Sequence, residues 1–159
     1  MSSISTHSAK APISYPDDFD THMHKHRGRC VAMRMIIPAD VNVHGTVFGG
    51  AILSEYDLAG ATAVRQFLGL SRITTRHLSI DFTKALYPGD IFTIYAHLDK
   101  IGTSSITLDL QGWRTSPENE QECFSKVKVV FVYINEQKKP MPIPQWARDR
   151  AAYFESDRN

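Results

Sequence analysis

The stretch NVHGTVFGGAILSEYDLAGATAV, Asn42 to Val64, decides how the chain is read. Its apolar residues Ile52, Leu53, Tyr56, Leu58, Ala59, Ala61, Ala63 and Val64 cover nearly every face of a helix. A helix that is apolar all round is expected to be buried. It is entered through a turn carrying Gly45, Gly49 and Gly50. In its middle stands Asp57, a residue type that competes with the helical backbone and is rarely buried unpaired. The positions three and four away, Leu53, Ser54, Gly60 and Ala61, offer no cation, and Arg65 is eight positions on. A carboxylate so placed must find a partner on another element or shift its pKa upward by desolvation. The structural alternatives are an Asp tied to backbone or to Ser54, or one exposed through a gap in the surface. Glu55, beside it, reads as a surface residue.

Outward from the helix the chain reads as strands. CVAMRMII, from Cys30 to Ile37, suits a first strand stopped by Pro38. RITTRHLSIDFTKAL, from Arg72 to Leu86, is rich in β-branched residues and suits a second. In YPGD, Pro88 and Gly89 fit the central positions of a type II turn. IFTIYAHLDKI follows as a third strand and GTS as a tight reversal. SITLDLQGW alternates, with Ile106, Leu108, Leu110 and Gly112 facing one way and Thr107, Asp109, Gln111 and Trp113 the other. After the SPENEQ loop, CFSKVKVVFVYI is a fifth strand with Lys126 and Lys128 on its wetter face. The prolines of KKPMPIPQW lack the N–H donors of a central strand. A short helix from about Gln145 to Phe154 closes the chain. One long apolar helix thus lies against one antiparallel sheet. This is the α+β arrangement of the hotdog fold, a five-stranded antiparallel sheet wrapped around one long central helix. A single helix leaves much of such a sheet uncovered, so self-association is expected. The expected organisation is a polar, loosely ordered extension over residues 1–28, the hotdog domain over 29–144 and a helical tail over 145–159.

The 159 residues are enough for one domain with a real core. The 18 Lys and Arg nearly balance the 17 Asp and Glu, so no global field steers the chain onto nucleic acid or an anionic membrane. No apolar run is long enough to span a bilayer. The opening MSSISTHSAKAPISYPDDFD has no apolar core of the kind a secretory signal needs. Cys30 and Cys123 fit no zinc or redox spacing and read as two reduced, buried thiols, which suits a cytoplasmic protein. His22, His24 and His26 would share one face of an extended strand and could bind metal. No carboxylate or cysteine supports a closed site there, so the segment reads as a solvated basic lead-in. No metal is expected.

The helix entrance carries chemistry. The first N–H groups of a helix have no internal partner and stand at the positive end of its dipole. Gly49 and Gly50 let a ligand approach them closely, and such donors can stabilise a developing oxyanion. Asp57 follows two turns later, and Asn42 just upstream can donate and accept hydrogen bonds. An anion-binding turn, an amide and an isolated carboxylate together point to hydrolysis of an activated acyl group.

At this point a resemblance becomes visible. PADVNVHGTVFGGAILSEYDLAGA resembles the signature segment of the hotdog acyl-CoA thioesterases, especially the bacterial short- and medium-chain enzymes and the related cytosolic acyl-CoA hydrolases of animals. The ordered set Asn42, Gly45, Phe48, Gly49, Gly50 and Asp57 carries it. DFTKALYPGD, DKIGTSSITLDLQGW and VVFVYINEQKKPMPIP extend it over about residues 30 to 144. The resemblance implies that Asp57 is the general base or nucleophile. It implies that Asn42 reaches the reaction centre from the other protomer or domain, and that the Gly49 and Gly50 backbone holds the oxyanion. CoA would lie against Phe48 and the Gly102, Thr103, Ser104 and Ser105 segment. The family usually has proline at the position of Ala85 and often arginine at that of Thr103, where the CoA diphosphate passes. Arg76, Lys84 and Lys100 are then the candidate phosphate cations, each also readable as solvated surface. Acyl-CoA is the implied partner, CoA enters only as part of the substrate, and no further cofactor is implied. The implied assembly is a homodimer, or a trimer or dimer of dimers.

Two rival readings remain. A hydroxyacyl dehydratase of the same fold usually needs a catalytic histidine with a carboxylate, and the helix holds no histidine. A non-catalytic acyl-CoA-sensing module would need an output domain, and the leading residues show no helix-turn-helix pattern. His44 reads as a turn residue, and His77 and His97 as pairing or packing residues on strands.

Overall fold

The computed structural model describes residues 27–156, with side chains as far as Tyr153. His22, His24 and His26 lie outside the described residues. Five strands, β1 (Arg29–Met35), β2 (Ile73–Phe82), β3 (Ile91–Ile101), β4 (Ser105–Thr115) and β5 (Gln121–Tyr133), form one sheet in the order β1-β3-β4-β5-β2. Every pairing is antiparallel. Helix α1 (Gly49–Leu68) joins β1 to β2. Those strands are the two edges of the sheet, so α1 crosses one face of it from edge to edge. The hotdog arrangement expected from the order of elements is the one observed.

The alternation in β4 sets the core. Ile106, Leu108, Leu110 and Gly112 are buried, and Thr107, Asp109, Gln111 and Trp113 are half-buried on the other face. Two glycines let α1 sit close. A Cβ on Gly112 would collide with the Tyr56 hydroxyl, and a Cβ on Gly60 would fall 2.8 Å from the Phe131 ring. Tyr56 is fully buried, and its hydroxyl hydrogen-bonds that of Ser125, also buried. Burial pushes the phenol's pKa well up. Between β2 and β3, Gly89 has φ 91° and Asp90 N–H donates to the Tyr87 carbonyl at 3.1 Å, as a type II turn requires.

The proline-rich segment after β5 forms no strand, yet it is tied down. Met141 N–H donates to the Tyr133 carbonyl at 2.9 Å and Ile143 N–H to that of Thr103 at 2.8 Å. Helix α2 (Gln145–Ser156) then packs on α1, burying Ala147 and Ala151. Arg150 donates to the Gln66 carbonyl at 3.1 Å, satisfying a backbone group in the last turn of α1.

Two expectations are corrected. α1 is not buried all round: Leu58 is 66% exposed, and Leu53, Thr62 and Arg65 are exposed with it. One chain supplies a sheet on one side of the helix only. The cysteines are not buried either. Cys30 is exposed on β1 and Cys123 half-buried on β5, both free and separated in the sheet by the two strands β3 and β4. Both lie toward the ends of their strands, away from the packed face of the sheet. Among the described residues no helix is long and apolar enough to cross a membrane.

Candidate active site

Asp57 lies on the uncovered side of α1 and is half-buried. The buried carboxylate expected from sequence is therefore corrected: this helix face looks past the sheet edge. It does find a partner on another element. The Thr75 hydroxyl of β2 donates to Asp57 Oδ1. Ser54 is not involved, because its hydroxyl turns back to the Ala51 and Gly50 carbonyls at 3.1 and 3.2 Å. Thr75 precedes a bulge at which Arg76 is the unpaired residue. Nothing in the sequence separates Thr75 from the other polar residues of β2; its role follows from the approach of α1 to that edge.

At the other end of α1, Phe48 is the N-cap and provides no side-chain cap, and no acidic residue lies in the first turn. Gly49 and Gly50 are exposed there, so the open N–H groups of the first turn face outward. The Phe48 side chain is 53% exposed beside them. Asn42 organises the approach to the turn. Its Oδ1 accepts from His44 N–H at 2.8 Å and Thr46 N–H at 3.4 Å, which leaves its amide N–H groups as donors. His44 is exposed in this turn, as expected.

Within one chain these groups are apart. Asp57 lies eight residues beyond Gly49, which is about 12 Å along the helix axis. Among the described residues, the hydrogen bonds of the Asn42 side chain stay in its own loop. Glu55 is also corrected. It is half-buried and accepts from Arg34 Nε of β1 at 2.8 Å, so it clamps α1 to the sheet edge. The same guanidinium bonds Asp40 at 2.8 Å and holds that carboxyl below its ordinary pKa.

The structure scatters the cations chosen for phosphate. Lys84 pairs with Glu122, which also takes Arg114 Nη1 at 2.8 Å. Arg76 is exposed on β2 and Lys100 exposed on β3. Lys100 and His77 occupy one row across the sheet, so Arg76 and Lys100 are separated by three strand spacings, about 14 Å. His77 is exposed on its strand and His97 is half-buried on β3.

Gly102, Thr103, Ser104 and Ser105 do form one tight turn. Gly102 N–H donates to the Ser105 carbonyl at 2.8 Å, and the Ser104 carbonyl accepts from Tyr133 N–H at 2.8 Å. Arg148 of α2 donates to the Gly102 carbonyl at 2.6 Å and the Thr103 carbonyl at 3.4 Å. Sequence reasoning missed this arginine, because it lies past the segment that carries the resemblance. A guanidinium thus stands at the turn that has threonine where the family often has arginine. Among the described residues no three metal-ligating side chains gather.

Known proteins share this architecture. Residues 44–120 match the model of the thioesterase superfamily. An acyl-CoA thioester hydrolase, itself uncharacterized, of Buchnera aphidicola is 33% identical over 118 residues, covering 72% of this chain and 87% of the relative. Cj0915, a hexameric hotdog-fold thioesterase of Campylobacter jejuni, is 26% identical with a TM-score of 0.70, covering 80% of this chain and 98% of that one. An acyl-CoA hydrolase of Staphylococcus aureus, solved with butyryl-CoA and CoA, is 26% identical with a TM-score of 0.65 over 80% of this chain and 84% of that one. That hydrolase has also been solved as an aspartate-to-alanine and a threonine-to-alanine variant. By sequence and fold alike, this chain belongs to the thioesterase superfamily, in the family of acyl-CoA thioester hydrolases.

Proposed function

We propose that the protein hydrolyses acyl-CoA to a free carboxylic acid and CoA, in a site shared between two copies of the chain. The observation that carries this reading is the placement of Asp57. It is a half-exposed carboxylate, steadied by Thr75, on a helix face that the chain leaves open. The Gly49 and Gly50 donors lie two turns away on the same helix, too far to serve the same carbonyl. A second copy brings its own Asn42, Gly49 and Gly50 to the Asp57 of the first. A dimer is the smallest assembly that completes the site, and a trimer of dimers fits the hexameric state of the Campylobacter relative.

In this site Asp57 takes a proton from water as the water oxygen attacks the thioester carbonyl. Direct attack by the carboxylate, giving an anhydride that water then opens, uses the same geometry. Negative charge moves to the carbonyl oxygen, which the Gly49 and Gly50 N–H groups stabilise. Collapse breaks the C–S bond, and CoA leaves as a thiolate that takes up a proton. Asn42 holds the water or the carbonyl through its amide N–H groups. Carboxylate and N–H donors supply base and oxyanion stabilisation, so the scheme uses no metal or cofactor beyond the CoA of the substrate. Aspartate and threonine, the pair seen here as Asp57 and Thr75, are also the residue types replaced in the Staphylococcus variants.

Arg148 and Lys100 flank the Gly102–Ser105 turn and are the cations placed to meet the CoA phosphates, with Phe48 against the remainder of CoA. The catalytic unit spans residues 29–144, and helix α2 braces it through Arg148 and Arg150. Two free thiols, one exposed, suit a cytoplasmic location. The test is release of free thiol from butyryl- and octanoyl-CoA. Steady release over many turnovers is the expected result. Binding that releases no thiol would replace the enzyme with an acyl-CoA-sensing module.

A further inference from the structure

The seam between α1 and the β2 edge continues past Asp57 and Thr75 as a groove of about 230 Å³. Leu58, Ala61, Thr62 and Arg65 line it from the helix, and Leu70, Ser71 and Ile73 from the opposite wall. Ala61 stands one turn beyond Asp57 on the same side of α1, and Ile73 two residues before Thr75 on the same face of β2. Neither Asp57 nor Thr75 lines the groove, which begins beside the reacting position, one helical turn beyond Asp57. Its walls are apolar near Asp57. The Thr62 hydroxyl is turned back onto the Leu58 carbonyl at 2.9 Å, which leaves its methyl group to the groove.

The far end differs in character. Arg65 is an exposed cation with no carboxylate bonded to it among the described residues. It lies eight residues beyond Asp57, about 12 Å along the axis. A zig-zag chain with bonds of about 1.5 Å advances about 1.3 Å per carbon, so a chain of about eight or nine carbons reaches from one to the other. An apolar chain end brought there would strip water from a guanidinium and give nothing back. A carboxylate would pair with it, in the forked geometry that arginine favours.

We propose that Arg65 reads the far end of the acyl group, so that the enzyme favours medium-length acyl-CoAs ending in a carboxylate over plain acyl-CoAs of the same length. This rests on the thioesterase reading of Asp57. The apolar stretch of the groove takes the methylenes, and Arg65 selects the terminus.

The test compares kcat/KM for the CoA thioester of octanedioic acid with that for octanoyl-CoA. Wild type, Arg65→Leu and Arg65→Lys are measured, each referred to butyryl-CoA on the same variant, because a four-carbon chain stops short of Arg65. A charge-assisted bond is worth about tenfold or more, so the diacid preference should fall by about that factor in Arg65→Leu and recover in part in Arg65→Lys. A ratio that is the same in wild type and Arg65→Leu overturns the proposal and leaves the thioesterase reading standing. Failure of the wild-type protein to hydrolyse even butyryl-CoA overturns both.

Discussion

One face of α1 carries Ile52, Tyr56, Ala59, Gly60, Ala63 and Val64 and is closed by the sheet, while the opposite face carries Leu53, Asp57, Leu58, Ala61 and Arg65 and stays open. The first is largely apolar; the second mixes Leu53, Leu58 and Ala61 with Ser54, Asp57, Thr62 and Arg65, and its exposed leucines are not explained by the fold of one chain. On the closed face the fit is tight enough for glycine to be required at Gly60 and Gly112. On the open face a carboxylate sits among leucines with one threonine for support. Exposed leucines beside a supported carboxylate make sense if a second copy supplies the missing wall and the missing donors. The closed face builds the domain, and in the proposed reading the open face builds the site.

The contrast can be broken by mutation. Leu68, fully buried, should cost about 2–5 kcal/mol of stability when changed to alanine, read by denaturant unfolding. A loss that varies with protein concentration would deny that the closed face belongs to the single chain. Asp57→Asn is nearly isosteric and should cut kcat by about a hundredfold or more, near 2.7 kcal/mol, with the melting temperature unchanged. Near-normal turnover would remove Asp57 from the chemistry.

Smaller effects sharpen the picture. Leu53→Ala should lower the melting temperature by an amount that depends on protein concentration, as loss of a subunit contact does. An effect that ignores concentration would mean that Leu53 packs only within its own chain. Glu55→Gln loosens the Arg34 clamp and should cost less than about 1 kcal/mol, with kcat/KM close to wild type. A loss of kcat comparable to that of Asp57→Asn would move Glu55 into the reaction.

The closed face was legible in the sequence, because strict alternation in β4 and a long apolar helix leave few ways to pack. The turn at Pro88 and Gly89 was legible for a similar reason: its backbone conformation restricts the residue types it accepts. The open face was not. A leucine at position 58 carries no mark of whether sheet, solvent or another subunit will cover it, so the helix read as buried throughout. Asp57 stood out as the wrong residue for such a helix. Its partner Thr75 did not, because a threonine in a strand is unexceptional until the helix is placed over it. Glu55 and Arg34 were separated in the same way, since their contact depends on how α1 crosses the β1 edge. Arg148 was hidden because the tie from α2 to the Gly102–Ser105 turn joins segments 46 residues apart.

The shared site is the central claim, and complementation between two inactive variants tests it most directly. Asn42→Ala and Asp57→Ala subunits are mixed in equal amounts, unfolded and refolded together. In a two-fold dimer, each mixed pair holds one site with both defects and one with neither. Random pairing makes about half of the dimers mixed, so about a quarter of all sites should be intact. Activity should rise from nearly nothing in each parent towards a quarter of wild type. If the two residues instead serve one site within a chain, every site keeps a defect. An inactive mixture whose heterodimers are confirmed by mass spectrometry would contradict the shared site.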